Sequence, residues 1–147
     1  MAQQPTITIT QVDGFKFLVD FGEAFPDLVT DEPEPIGRGA GPSPEQLVIA
    51  GVSNCLCASL AFALGKFRQE GGGVSARAAA RIERNAEQRL RIGGIDVEIT
   101  LGAAAAAMPR IDQVLAQFER FCTVSESVKT GIPVAVTVRD TLGERLK

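Results

Sequence analysis

Apolar and polar positions alternate along the first thirty residues, and then the period changes. Thr6 to Gln11 alternates threonine with isoleucine, which predicts a strand. Asp13-Gly14 is a hairpin signal. Beyond it Phe15, Phe17, Val19 and Phe21 share one face of a second strand, and a short third strand is expected within Asp27 to Thr30. Asp31 to Pro42 is rich in Pro, Gly and acids and reads as a loop. A loop of this kind beside a helix start is a common place for a site.

Ser43 then caps a helix. Pro44 suits the first helical position, and Gln46 completes an S-x-x-Q capping box. The helix is expected to run to about Arg68 or Gln69 and to stop at Gly71-Gly72-Gly73. From Leu47 to Leu64 it is apolar or small on every side, so every face needs a cover. One small sheet cannot supply that, which points to a partner chain. Val74 to Arg84 and Gln88 to Leu101 read as a second strand pair. Its apolar parity shifts at Gly93-Gly94, from Leu90 and Ile92 to Ile95, Val97 and Ile99, which implies a bulge. Ala103 to Ala107 leads into an amphipathic helix, from Met108 or Pro109 to Phe121. Ile111, Val114, Leu115, Phe118 and Cys122 share its apolar face. Pro133 to Asp140 is a last strand. This order of elements belongs to the α+β class. Neither a repeat nor a linker interrupts it, so a single domain over residues 1–147 is expected.

Composition narrows the function classes. A net charge of −3, with arginines spread among acids, argues against nucleic-acid binding. The start, Met1 to Pro5, has no leader pattern. Leu47 to Leu64 is the stretch nearest to a membrane span, but it carries Ser53, Asn54 and Ser59 and reads as a buried helix. No membrane association and a cytoplasmic location are expected. The chain has no His, Trp or Tyr, which removes Ser-His-Asp and Cys-His catalysis, histidine metal sites and aromatic stacking platforms. Cys55, Cys57 and Cys122 are too few and wrongly spaced for zinc, so neither a metal nor a cofactor is expected. Covalent chemistry falls to sulfur.

Each cysteine can also be read as a small core residue. Cys55 lies mid-helix, beyond reach of the helix dipole, so a reactive thiolate there needs a cation from elsewhere. Cys57 is turned about 200° away from it on the helix, and the two cannot bridge. Cys122 stands where the second helix gives out. Spacing alone does not say that Cys55 and Cys122 meet.

Two motifs carry a resemblance. Gly41-Pro42-Ser43-Pro44-Glu45-Gln46-Leu47, Ala50-Gly51 and Asn54-Cys55 resemble the helix start and cysteine of OsmC and organic hydroperoxide resistance proteins. Cys122-Thr123-Val124-Ser125, Val128-Lys129 and Gly131 to Val134 resemble that family's second motif, with Thr123 where the family has proline. The resemblance implies an intertwined homodimer with long central helices wrapped by antiparallel sheets. It implies reduction of an organic hydroperoxide substrate, with Cys55 attacking and Cys122 resolving the sulfenic acid to a disulfide that a dithiol reductant then opens. Glu45 matches the family's acid, although a first-turn carboxylate is also favoured by the helix dipole alone. It lies ten residues, about 15 Å, from Cys55 along the helix, so it is expected to serve the partner's Cys55. The family's arginine is matched by Arg38 at a different offset, with Lys16 as the other candidate cation. A noncatalytic binder of a small apolar ligand and a thiol redox sensor are the alternative readings.

Overall fold

The computed structural model of the chain describes residues 4–147. Met1 to Gln3, part of the start in which no leader is expected, lie outside them. Contacts divide the chain into two compact units, Met1–Val48 and Ile49–Lys147.

The first unit is built on a three-stranded antiparallel sheet of β1 (Thr8–Asp13), β2 (Lys16–Asp20) and β3 (Leu28–Thr30). The β1–β2 turn uses Gly14 at φ +55°, which only glycine adopts without strain. The register slips between Gln11 and Asp13, leaving Val12 as the extra residue. The loop after β3 is organised by one buried carboxylate. Asp31 accepts the backbone N–H groups of Glu32, Arg38 and Ala40 at 2.9, 3.1 and 3.1 Å. Gly37 has no room for a side chain, since a Cβ there would stand 2.5 Å from Asp31 Oδ1.

The capping box forms as the sequence predicts. Gln46 N–H donates to Ser43 Oγ at 3.3 Å, and Ser43 N–H donates to Gln46 Oε1 at 2.9 Å. The helix it opens, α1, runs Pro44–Lys66, and Arg68 turns the chain out at φ 53°. At 23 residues and mean hydropathy 2.1, α1 is long and apolar enough to cross a membrane. This corrects the expectation that no segment qualifies, because Ser53, Asn54 and Ser59 dilute its hydropathy too little. One face of α1 nevertheless packs into a protein core, through Val52, Leu56, Leu60, Ala63 and Leu64.

The second unit carries β4 (Val74–Arg84), β5 (Leu90–Leu101), α2 (Ile111–Gln117), α3 (Thr123–Val128) and β6 (Val134–Arg139). β4 and β5 are antiparallel, with the register slipping opposite Arg81 and Ile82, so Gly93 is the bulged residue where the parity shift put it. β5 starts at Leu90 rather than Gln88. The side chain of Asn85 accepts the N–H groups of Glu87 and Arg89 and holds a turn in which Gln88 takes φ 62°. β6 runs parallel to β5, which adds one parallel pair to the antiparallel sheets expected. A parallel pair needs a long crossover, and here α2 and α3 fill it.

The expected helix from Met108 or Pro109 to Phe121 is shorter and broken. Ala105–Ala107 form one 3₁₀ turn, α2 begins only at Ile111, and Phe118–Phe121 tighten into a second 3₁₀ turn. Cys122 then leaves helical geometry at φ −84°, ψ 95°. α3, which follows it, is absent from the sequence reading. Its residues Thr, Val, Ser, Glu, Ser and Val are mostly poor helix formers, so the pattern carries no helical signal.

Ile95, Val97, Ile99 and Leu101 on the inner face of β5 pack with the buried side of α1 and with Met108, Ile111, Val114, Leu115, Phe118 and Cys122. Buried Asp140 fastens the end of this unit. Its carboxylate accepts N–H groups from Ala105, Leu142 and Glu144, each at 2.9 Å. These bonds, the one from Ala105 foremost, outweigh burial and hold its pKa below the usual 3.8. The depressed value fixes the sign of its effect. The stabilisation is present above pH 3.8 and fades as the pH falls through the lower folded-state value. Asp140→Ala should therefore lower the melting temperature at pH 7 and expose residues 141–147 to proteolysis. The difference in melting temperature from the parent should shrink in acid; a constant gap from pH 7 to pH 3 would contradict this account.

Candidate functional site

Helix geometry explains where the first two cysteines lie. At roughly 100° per residue, Gly51, Asn54, Ala58, Ala61, Phe62 and Gly65 share one exposed face of α1, while Val52, Leu56, Ser59, Leu60 and Ala63 share the opposite, buried one. Cys55 and Cys57 fall on the two seams between these faces, and both are half-buried. Cys57 packs against the core on its seam, where burial pushes its thiol up. Cys55, on the other seam, is the one that meets another sulfur.

That sulfur is Cys122. It is fully buried, Cys55 packs against the core that contains it, and the Cys55 thiol stands near enough to act on its charge. The break in the helix brings this about. Cys122 is the N-cap of α3, so its Sγ lies inside the turn and accepts the Ser125 N–H at 3.3 Å. Burial pushes the Cys122 thiol up, and the neighbouring Cys55 thiol adds to this. The Ser125 hydroxyl and N–H oppose it without cancelling it.

Two phenylalanines flank the pair. Phe62 lies two turns beyond Cys55 on nearly the same side of α1, and Phe121 directly precedes Cys122. Their rings meet edge to face at 5.5 Å, and they are 60% and 46% exposed. Lys66 closes the far end, with its ammonium 5.3 Å from the Phe121 ring centre and bonded to Gln117 at 3.1 Å. A half-buried thiol beside a second sulfur, with apolar rings at hand, can attack a polarisable bond in an organic molecule and pass the product to its neighbour.

The other residues singled out from the sequence lie in the N-terminal unit. Arg38 and Lys16 line one cleft of about 430 Å³ together with Asp13 and Asp31. Arg38 pairs with Asp13 at 3.3 Å, and the two side chains are 83% and 60% exposed. Lys16 contributes to holding the Asp31 carboxyl below its usual range, after the Ala40 N–H, which acts against burial, and the Arg38 and Glu32 N–H groups. Glu45 is half-buried in the first turn of α1. No ion pair joins it to Arg38 or Lys16 among the described residues. No cluster of three or more metal-ligating side chains occurs among them either.

Sequence reasoning placed Ser125 in the second motif without giving it a role, and passed over Asp31 and the Phe62–Phe121 pair. Ser125 had a signal, since Cys122-x-x-Ser125 has the spacing of an N-cap and its N3 position. The aromatic pair had none, because Phe62 and Phe121 meet only through the tertiary fold.

Comparison with known proteins gives the family and the fold. The OsmC-like protein family model matches residues 37–137, which include Cys55 and Cys122. No curated protein matches. Among solved structures, an OsmC-like protein of unknown function from Vibrio cholerae superimposes with a TM-score of 0.78 at 12% identity, over 93% of this chain and 99% of that one. An organic hydroperoxide resistance protein from Elizabethkingia anophelis, with thiocyanate bound, gives 0.76 at 17%, over 96% and 100%. The organic hydroperoxide resistance protein OhrB of Bacillus subtilis gives 0.69 at 16%, over 91% and 98%. At these identities the structures speak for the fold, and the family model speaks for descent: the chain belongs to the OsmC-like family.

Proposed function

We propose that this protein is a thiol-dependent peroxidase that reduces organic hydroperoxides. The observation that carries the proposal is the nearness of the half-buried Cys55 thiol to the buried Cys122 sulfur. In the first step the Cys55 thiolate attacks the peroxide's terminal oxygen. The O–O bond breaks, the alcohol leaves with a proton, and Cys55 becomes a sulfenic acid. In the second step the Cys122 sulfur displaces that hydroxyl as water, giving a Cys55–Cys122 disulfide. A dithiol of the reducing cytoplasm then takes over the bridge and restores both thiols. Phe62 and Phe121 favour a substrate with an apolar body over hydrogen peroxide. The names of the Elizabethkingia and Bacillus relatives point to the same class of substrate.

The working form is a homodimer. The exposed face of α1, from Gly51 to Gly65, is made of small residues and Phe62, with Asn54 its one polar side chain, which suits close approach of a second helix. The two units then act as parts of one domain, completed across the dimer. Glu45 and a cation, Arg38 or Lys16, belong beside the partner's Cys55, where the cation favours the thiolate. The exposed Arg38–Asp13 pair contributes little and does not hold Arg38 back.

Light scattering at low micromolar concentration should give twice the chain mass; a stable monomer would remove the basis for shared sites.

Treatment with an organic hydroperoxide should yield a Cys55–Cys122 disulfide within one chain, with Cys57 free. Cys55→Ser should abolish consumption of hydroperoxide, and Cys122→Ser should allow one turnover followed by over-oxidation of Cys55. Peptide mapping that finds Cys57 bridged, or all three thiols untouched, rules the mechanism out.

The cross-chain role of Glu45 is tested in a mixed dimer of one Glu45→Ala chain and one Cys55→Ser chain. The only intact Cys55 then faces an intact Glu45 across the interface, and that site should stay active. Loss of all activity in a well-folded mixed dimer would place acid and thiol in the same chain.

A further inference from the structure

Among the described residues, the Ser125 side chain is a fully buried polar group of the second unit whose position the fold does not explain. It is fully buried, and its Oγ has no hydrogen-bond partner of good geometry among the described residues. A buried hydroxyl without a partner is costly, because it has given up water and gained nothing. The hydroxyls around it behave otherwise: Ser127 and Thr130 bond to the carbonyls of Thr123 and Ser127, both at 2.8 Å. Ser125 could have been an alanine at no loss to the resting fold.

What lies next to that hydroxyl is the Cys122 sulfur. The Ser125 backbone N–H already donates to Sγ at 3.3 Å, and the Oγ is close enough to favour the charged form of Cys122. A neutral thiol offers a poor acceptor, so the hydroxyl stays unpaired in the resting state. A thiolate in the same place is a strong acceptor, and bonds to ionised groups are the strong ones. The hydroxyl thus has a partner waiting in one protonation state only.

We propose that Ser125 is a positioning residue, whose hydroxyl joins its own backbone N–H in holding the Cys122 sulfur as an anion for the resolving step. This rests on the peroxidase reading above. The step balances without Ser125: the Cys55 sulfenic acid and the Cys122 thiol give the disulfide and one water. The hydroxyl exchanges no atom. It lowers the cost of separating the Cys122 proton from its sulfur in a buried setting, which would otherwise keep the thiol protonated. The groups acting most strongly on Cys122 are Cys55 from α1, which favours the protonated form, and Ser125 from α3, which opposes it. Of the nearby charges, Glu119 on the preceding 3₁₀ turn and Lys129 just after α3 are paired with each other at 2.7 Å, and Lys129 also holds Glu126 at 2.8 Å. None of these is free to do the work of the hydroxyl.

The variant is Ser125→Ala, which keeps the N–H and removes the hydroxyl. In single-turnover experiments with an organic hydroperoxide, sulfenic acid formation at Cys55 should keep its rate. Disulfide formation at neutral pH should slow by about ten- to a hundredfold, the worth of a hydrogen bond to a charged group. The pH profile of the second step should move up by about one to two units, since each tenfold is one unit. At a pH high enough to ionise Cys122 fully, the parent and variant rates should come closer together. A sulfur that had merely been displaced would stay slow at every pH. Ser125→Gly, a second hydroxyl-free variant, should shift the profile in the same direction.

One measurement does not need turnover. In a Cys55→Ser/Cys57→Ser background, ultraviolet titration of the Cys122 thiolate should show its midpoint raised by Ser125→Ala, while the melting temperature at pH 7 stays level or rises. An unmoved midpoint, or an unchanged resolving profile in a protein that does form the disulfide, overturns the role of Ser125. Failure of the parent protein to form the disulfide overturns the peroxidase reading instead, and the titration still judges Ser125.

Discussion

The structure depends on a helix that is apolar all round and covered on one side. α1 sends Val52, Leu56, Leu60, Ala63 and Leu64 into the core of the second unit, and that burial is the main favourable term holding β5, α2 and the crossover to it. The opposite face, from Gly51 to Gly65, stays largely open within the chain, apart from the Phe62 ring against Phe121. A residue on the boundary between these faces is packed enough to be held and open enough to be reached. Cys55 occupies that boundary, and the chemistry proposed for it follows from its angle on the helix more than from its neighbours in sequence.

The second sulfur is placed by the failure of a helix. Had the amphipathic segment continued through Cys122, the residue would have been one more apolar position on its inner face. The 3₁₀ turn at Phe118–Phe121 and the extended backbone of Cys122 turn the chain instead, and a new helix starts at Thr123. The sulfur then takes the part that a serine or aspartate oxygen usually plays at a helix start. Cysteine is a poor cap as a thiol and a better one as a thiolate, so structure and reactivity are tied together at this residue.

Much of this was legible in the sequence, for physical reasons that differ by element. The capping box at Ser43 and Gln46 and the bulge at Gly93 were legible because both are local, fixed by residues a few positions apart. The all-round apolar helix was legible because hydrophobic period survives any tertiary arrangement. The start of α2 and the whole of α3 were not. Pro109, the tightened turn and the weak helix formers of Thr123–Val128 leave no period to read, and tertiary packing decides their shape. For the site, the motifs pointed to Cys55 and Cys122, while their meeting needed the fold. Asp31, which arranges the loop carrying Arg38, looked like one acid among several, because nothing in a linear pattern marks a carboxylate that collects three backbone N–H groups.

The parallel pairing of β5 with β6 has a thermodynamic side. It puts the second cysteine on a long crossover, far along the chain from the first. A bridge between them would close a loop of about 67 residues, and a loop that long removes enough freedom from the unfolded chain to stabilise the folded state by about 4 kcal/mol in the chain-entropy account. The oxidised protein would then be the harder of the two to unfold. By the same cycle, the folded protein would hold its disulfide more firmly than an unfolded chain could. A reductant that resets such a protein therefore has to overcome part of the free energy of folding along with the sulfur–sulfur bond.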